Sequence, residues 1–204
     1  MEKEMIQEGR EVIIDGVKEE IIEGAISAFK KYGYTKVTMQ DISKEAGKVR
    51  STVYKYFDNK AEVLNAMCAK VMASILNDCA EVISKRRSLS ANIEQYFRLK
   101  LEKIRSLVVN YDLLVNDLKA DPSLIVIQTR CMMNEELLLI GNIISWAIEN
   151  EDIKPLNDED RAFLAETLQT AFRSFEMDIV LFGRFPNYEE KLSWLSQMLQ
   201  KGLS

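Results

Sequence analysis

The chain has 204 residues, 47% hydrophobic and 29% charged, and only 8 glycines and 3 prolines, too few turn formers for a hairpin-rich β fold. It has no histidine, which removes Ser–His and Cys–His catalysis and the commonest transition-metal ligand. The net charge of −5 is unevenly spread: residues 1–29 hold 3 basic and 8 acidic side chains, residues 30–60 hold 8 basic and 3 acidic, and the rest carries a further −5. A basic segment of net +5 within an acidic protein is an electrostatic footprint for a polyanion.

In chain order, the first ten residues are polar and lack the apolar core of a signal peptide. Ile14, Val17, Ile21, Ala25 and Ala28 then recur at three- and four-residue steps, the face of an amphipathic helix, and Gly33 is its natural stop. Thr38-Met-Gln-Asp41 has capping-box spacing with aspartate in the glutamate position. Ile42 and Ala46 share a face of the short helix it opens, and Gly47 breaks that helix. Ser51–Tyr56 can form a second short helix ending near Phe57. Asn59-Lys-Ala-Glu62 is a second capping box, and the helix behind it runs through Val63, Met67, Val71 and Ile75 toward Arg87.

The remainder reads as helix after helix, over about 90–110, 111–120, 121–150, 158–183 and 187–203. Asp121-Pro122 is a cap-and-proline start, Asn157 and Asn187 are further caps, and Gly183 and Pro186 are stops. No apolar run approaches the roughly 20 residues of a transmembrane helix. Cys68, Cys79 and Cys131 are odd in number and widely spaced, which argues against a disulfide framework or a zinc site. The expected protein is soluble, cytoplasmic, free of cofactors and not an enzyme.

The informative segment is TMQDISKEAGKVRSTVYKYFDNKAEVL, Thr38 to Leu64. A short helix, a glycine turn, a second short helix, an aromatic cluster and a capped third helix form the spacing of a helix-turn-helix, whose second helix can enter a major groove about 12 Å wide. With Thr38, Asp41-Ile42-Ser43, Ala46-Gly47, Tyr54-Lys55-Tyr56-Phe57, Lys60 and Leu64 in order, the segment resembles the DNA-binding signature of the TetR family of bacterial regulators.

That resemblance implies an all-α fold: a three-helix helix-turn-helix DNA-binding domain over 1–62, then an antiparallel helical ligand-binding and dimerisation domain over 63–204. It implies a ligand-responsive homodimeric repressor whose partners are a palindromic double-stranded operator, a second copy of the chain and a small, partly apolar effector, with no membrane. The competing readings are a helical protein–protein interaction module and a regulator that no ligand induces.

In the expected head, Ile42, Ala46, Val53 and Phe57 pack its small core. Thr38 caps and reaches phosphate, while Lys48, Arg50, Ser51, Thr52 and Lys55 lie on or beside the reading helix. Tyr54 and Tyr56 resemble the family's phosphate-contacting aromatics, and Lys60 is placed for a phosphate at a helix start. The sequence departs from the family after Ala46-Gly47, where Lys48, Val49 and Ser51 replace an apolar, a small polar and a glycine residue. Val49, four residues before Val53, is the candidate to supply the missing apolar contact, with Lys48 extending toward phosphate.

The central helices offer pocket candidates at Phe97, Leu101, Ile104 and Leu114, with Met132, Met133, Leu137 and Trp146. The last two helices offer a dimer face at Phe163, Leu164, Phe172, Phe175, Phe182, Trp194, Leu195 and Met198.

Overall fold

The computed structural model describes residues 2–121, 124 and 133–204, with side chains for 16–121, 124 and 134–204. Among these residues every regular element is a helix: α1 Glu2–Lys36, α2 Met39–Glu45, α3 Arg50–Val53, α4 Lys60–Val82, α5 Leu89–Asn110, α6 Asp112–Ala120, α7 Met133–Glu149, α8 Asp158–Phe182 and α9 Tyr188–Leu203. The all-α fold expected from the sequence is the one observed. Asp121 is described, but Pro122, and with it the expected helix start, Cys131 and Met132, lies outside the described residues, as does the Met133 side chain.

The chain forms two compact units, Met1–Val71 with Asn110–Gln128, and Met72–Val109 with Thr129–Ser204. The division falls inside α4 rather than at its start. It also brings α6, from the middle of the sequence, into the same unit as the helix-turn-helix.

In the first unit the α1 periodicity does what an amphipathic stripe must. Ile21, Ala25, Ala28 and Phe29 are fully buried and meet Ile42, Val53, Phe57, Val63, Leu64 and Met67, while Val17 packs at the margin. α1 packs against both α2 and α6, and Leu114 of α6 closes this same core. Gly24 permits the close α1–α2 approach, since a Cβ there would lie 2.4 Å from Ala46 Cα and N.

In the second unit α7 packs on α8. Ile140, Ile143 and Ile144 are fully buried, as are Leu89, Ile93, Tyr96 and Phe97 of α5. Asn157 caps α8 through Asp160 N–H, and Gly183 ends it with φ 63°. Asn187 makes no side-chain capping hydrogen bond to α9, contrary to its expected role. No described helix is long and apolar enough to cross a membrane.

Candidate nucleic-acid interface

The head is built from local hydrogen bonds legible in its sequence. Thr38 Oγ1 accepts from Asp41 N–H (3.2 Å), and Asp41 Oδ2 accepts from Thr38 N–H (2.9 Å), a complete capping box. The same hydroxyl donates to Asp41 Oδ2 at 2.6 Å. α2 ends where Gly47 takes φ 63°; Gly47 N–H donates to Lys44 O and Lys48 N–H to Ser43 O. This paired closure is the Schellman arrangement, which favours glycine because a side chain crowds the left-handed region. Asn59 Oδ1 accepts from the N–H groups of Ala61 and Glu62 at 3.0 and 3.1 Å and so starts α4. The Glu62 carboxylate reaches back to Asp58 N–H.

Between those two caps lies α3. Ile42 and Val53 are fully buried, Phe57 nearly so, and Ala46 packs against them, which fixes the angle between α2 and α3. The residues between these anchors point outward. Arg50, Ser51, Tyr54 and Lys55 are exposed, and Thr52 and Tyr56 are half-buried. Arg50 Nη2 donates to Tyr54 Oη at 3.2 Å, and its guanidinium lies over the Tyr54 ring, so two candidate readers hold each other in place.

Three side chains sit differently from expectation. Val49 is 68% exposed: it is the N-cap of α3, so its extended backbone turns the side chain away from Val53 rather than onto it. Lys48 is ion-paired with Glu20 of α1. Lys60 turns its ammonium inward, donating to Tyr34 O (2.7 Å), Val37 O (3.2 Å) and Thr35 O (3.3 Å), with the Tyr34 ring beneath it. Those carbonyls follow Gly33, whose φ of 71° breaks the α1 geometry and frees them from helix bonding.

One residue invisible to motif reasoning completes the head. The Asp117 carboxylate of α6 accepts the N–H of Thr35 at 2.9 Å and its hydroxyl at 2.7 Å. Burial raises the Asp117 pKa, but the Thr35 and Tyr34 hydrogen bonds and the Lys60 charge outweigh it and leave the acid below its ordinary value. The segment that leads into α2 is thus held by an anion from α6 and a cation from α4.

Residues 21–67 match the sequence model of the bacterial regulatory proteins of the tetR family. Over this segment the chain is similar to the tetR-family regulatory proteins. It is 25% identical over 126 residues to the Escherichia coli protein described as a probable acrEF/envCD operon repressor, a match covering 62% of this chain and 53% of that protein. It is 44% identical over 48 residues to the HTH-type transcriptional regulator TtgR of Pseudomonas putida, covering 24% of this chain and 23% of that one. The chain therefore spans about half the length of the E. coli relative or less of the other. A TetR transcription regulator from Haloarcula marismortui shares the fold with a TM-score of 0.65 and 16% identity, covering 93% of this chain and 98% of its own.

The remaining candidates divide between the two units. Phe97 and Leu101 are buried in the second unit and line a cavity of about 170 Å³. Ile104, Leu137 and Trp146 are half-buried there. Leu114, read as pocket lining, belongs to the core of the first unit, because α6 packs on α1.

Of the expected dimer face, Phe163, Phe175, Phe182, Trp194 and Met198 are 70, 40, 59, 61 and 49% exposed, and Leu164 and Leu195 are half-buried. Phe172 departs from this face, being buried against Phe97 inside its own unit. Cys68 and Cys79 are free thiols, both pushed up to about 12 by burial, which keeps them protonated and unreactive at neutral pH.

Proposed function

We propose that this protein is a TetR-family homodimeric repressor that binds a palindromic operator and leaves it when a small molecule occupies the second unit. The observation that carries the DNA-reading part is the display of Arg50, Ser51, Tyr54 and Lys55 outward from a rigid helix-turn-helix, within a segment of net charge +5. Arginine and lysine donate to guanine O6 and N7. The exposed Val49 suits a thymine methyl. Lys48 is ion-paired with Glu20, and the exposed Lys31 is paired with Glu45 and lies over the Tyr32 ring; surface ion pairs are worth about 0–1 kcal/mol, so both lysines can exchange a carboxylate for a phosphate.

Dimerisation is supported by the large apolar side chains left in water on α8 and α9, Phe163, Phe175, Phe182, Trp194 and Met198, since exposed apolar surface marks interaction sites. A two-fold dimer can set two α3 helices roughly 34–36 Å apart, one turn of DNA. The likeness to an operon repressor favours repression over activation. A DNA-bound role places the protein in the cytoplasm.

The test is fluorescence anisotropy with a duplex selected by the full-length protein from a random pool, set against a scrambled duplex across a salt series. Selective binding that weakens steeply with salt is expected. Equal, salt-insensitive binding to both duplexes overturns the DNA reading in favour of a protein-interaction module.

A further inference from the structure

In the second unit three charged side chains are withdrawn from water together. Lys100 of α5, Glu136 of α7 and Glu176 of α8 are 3, 7 and 8% exposed. Lys100 Nζ is ion-paired with Glu136 Oε1 and lies 2.6 Å from Glu176 Oε1. The two carboxylates are not equally served. Glu136 also accepts from Tyr96 Oη at 2.6 Å and from Gln169 Nε2 at 3.4 Å. Glu176 Oε1 is fully buried and, despite its proximity to the ammonium, receives no well-directed hydrogen bond.

One ammonium against two carboxylates leaves a surplus negative charge whenever both acids are ionised. A buried charge without a full partner is strongly disfavoured. Burial, with the Glu136 charge adding to it, pushes the Glu176 pKa up, while Lys100 and Arg173 oppose the rise; a retained proton is one way to settle the surplus. A cation from outside is the other.

Glu176 lies behind the wall of an otherwise apolar cavity of about 170 Å³, whose lining includes Phe97, Phe172, Phe175, Tyr188 and Trp194, so a guest there would sit beside its side chain. An apolar cavity of about 150 Å³ accepts a benzene-sized guest, and aromatic faces attract cations. Lys191 also borders the cavity, but from an exposed position where solvent screens its charge.

We propose that the effector is a small organic monocation carrying one aromatic or compact apolar group, which fills this cavity and sets its charge against Glu176. An organic anion is the poorer fit, since it adds a second surplus charge unless Lys100 abandons both glutamates. The proposal rests on the ligand-responsive reading given above and narrows it to a chemical class. It also predicts a pH dependence. Cation binding displaces the Glu176 proton, so affinity rises with pH, in a site where Lys100 and Tyr96 (α5), Cys79 (α4), Glu136 (α7), Arg173 (α8) and Tyr188 and Lys191 (α9) are the other charged or titratable neighbours.

The experiment titrates the full chain with benzyltrimethylammonium, benzyl alcohol and 3-phenylpropanoate, following tryptophan fluorescence and calorimetry, with Trp194→Phe to assign the signal. The expected result is saturable binding of the ammonium ion, tighter at higher pH and weakened tenfold or more by Glu176→Gln, with benzyl alcohol indifferent to that change. Tighter binding of 3-phenylpropanoate, an ammonium affinity unchanged in Glu176→Gln, or no saturable binding of the ammonium ion overturns the proposal. If Glu176→Gln does not fold, the ranking of the three probes on the unaltered chain decides.

Release of a selected DNA duplex is scored separately. A cation that binds through Glu176 but leaves the DNA complex intact keeps the cation site and removes the induction reading. A phenylpropanoate that releases DNA while the cation does nothing keeps induction and removes the cation.

Discussion

Thr35 gives both its backbone N–H and its hydroxyl to one carboxylate, that of Asp117, 82 positions further along the chain. The pair fixes the segment leading into the Thr38 cap, and it does so from α6, the helix that directly follows α5 of the second unit. Asp117→Ala removes both acceptors, and at about 1 kcal/mol net per hydrogen bond it is expected to destabilise the first unit by roughly 1–2 kcal/mol. Asp117→Asn keeps an acceptor for the N–H and an amide for the hydroxyl, and should lose less. The pH dependence has a definite sign. The folded-state pKa of Asp117 is depressed, so its contribution is present above the ordinary carboxylate pKa and lost as pH falls through the lower folded value. Urea midpoints of the three proteins from neutral to acid pH check this; a wild-type advantage that persists in strong acid counts against it.

Gly24→Ala is expected to cost more than a helix-propensity argument allows. Alanine is the better helix former by about 1 kcal/mol, so on propensity alone the change stabilises. The new Cβ, however, would stand 2.4 Å from backbone atoms of Ala46, which cannot swing away as a side chain would. Overpacking of this kind costs typically about 1–3 kcal/mol, and here it pushes α2 off α1 and tilts α3 with it. Chemical denaturation and DNA binding should both suffer. Ala46→Gly should not rescue, because the clash is with backbone.

The contrast between Gly24 and Gly47 shows what a sequence can disclose. Gly47 follows a two-turn amphipathic pattern, and its left-handed turn is a local event; so are the caps at Thr38, Asn59 and Asn157. All were legible because every partner lies within a few residues. Gly24 looks like an ordinary helix interior position until α2 is placed beside it. Asp117 looks like a solvated acid, and Lys60 like a phosphate ligand, until α6 and the Gly33 break bring their partners near. The Lys100–Glu136–Glu176 cluster draws on three helices and leaves no trace in any one of them. Val49 is hard to read for a narrower reason. Helical spacing from Val53 suggested a buried face, but Val49 is the cap, and helical periodicity does not extend through a residue with extended φ and ψ.

At the reading helix, Val49→Ser should alter which sequences are bound rather than how stable the protein is. The side chain is 68% exposed, so its loss opens no cavity. Parallel selection from random duplexes should show a relaxed preference at one thymine-bearing position per half-site, at a cost of about 1–3 kcal/mol there. Glu20→Gln should act in the opposite way. It frees Lys48 from its ion pair, so affinity should rise modestly for all sequences, and Lys48→Gln should lower it uniformly while reducing the salt slope by about 1. A base-specific effect of Lys48→Gln would mean that this lysine reads sequence.

Phe163 and Phe172 lie on the same helix and separate assembly from folding. Phe163 is 70% exposed, and Trp194 of α9 is 61% exposed, so neither contributes much to the unit that carries it. Phe163→Glu with Trp194→Ala should leave the helical content of each protomer intact, shift the protein to monomer in sedimentation velocity, and weaken binding to a palindromic duplex far more than to a single half-site. Phe172 is 6% exposed and buried against Phe97. Phe172→Ala should cost about 3–5 kcal/mol through the cavity it leaves, lowering the unfolding midpoint whatever the oligomeric state. If the Phe163 and Trp194 changes instead leave the protein folded and dimeric, then α8 and α9 are not the dimer face. The apolar surface they expose would then have to be covered by some other partner.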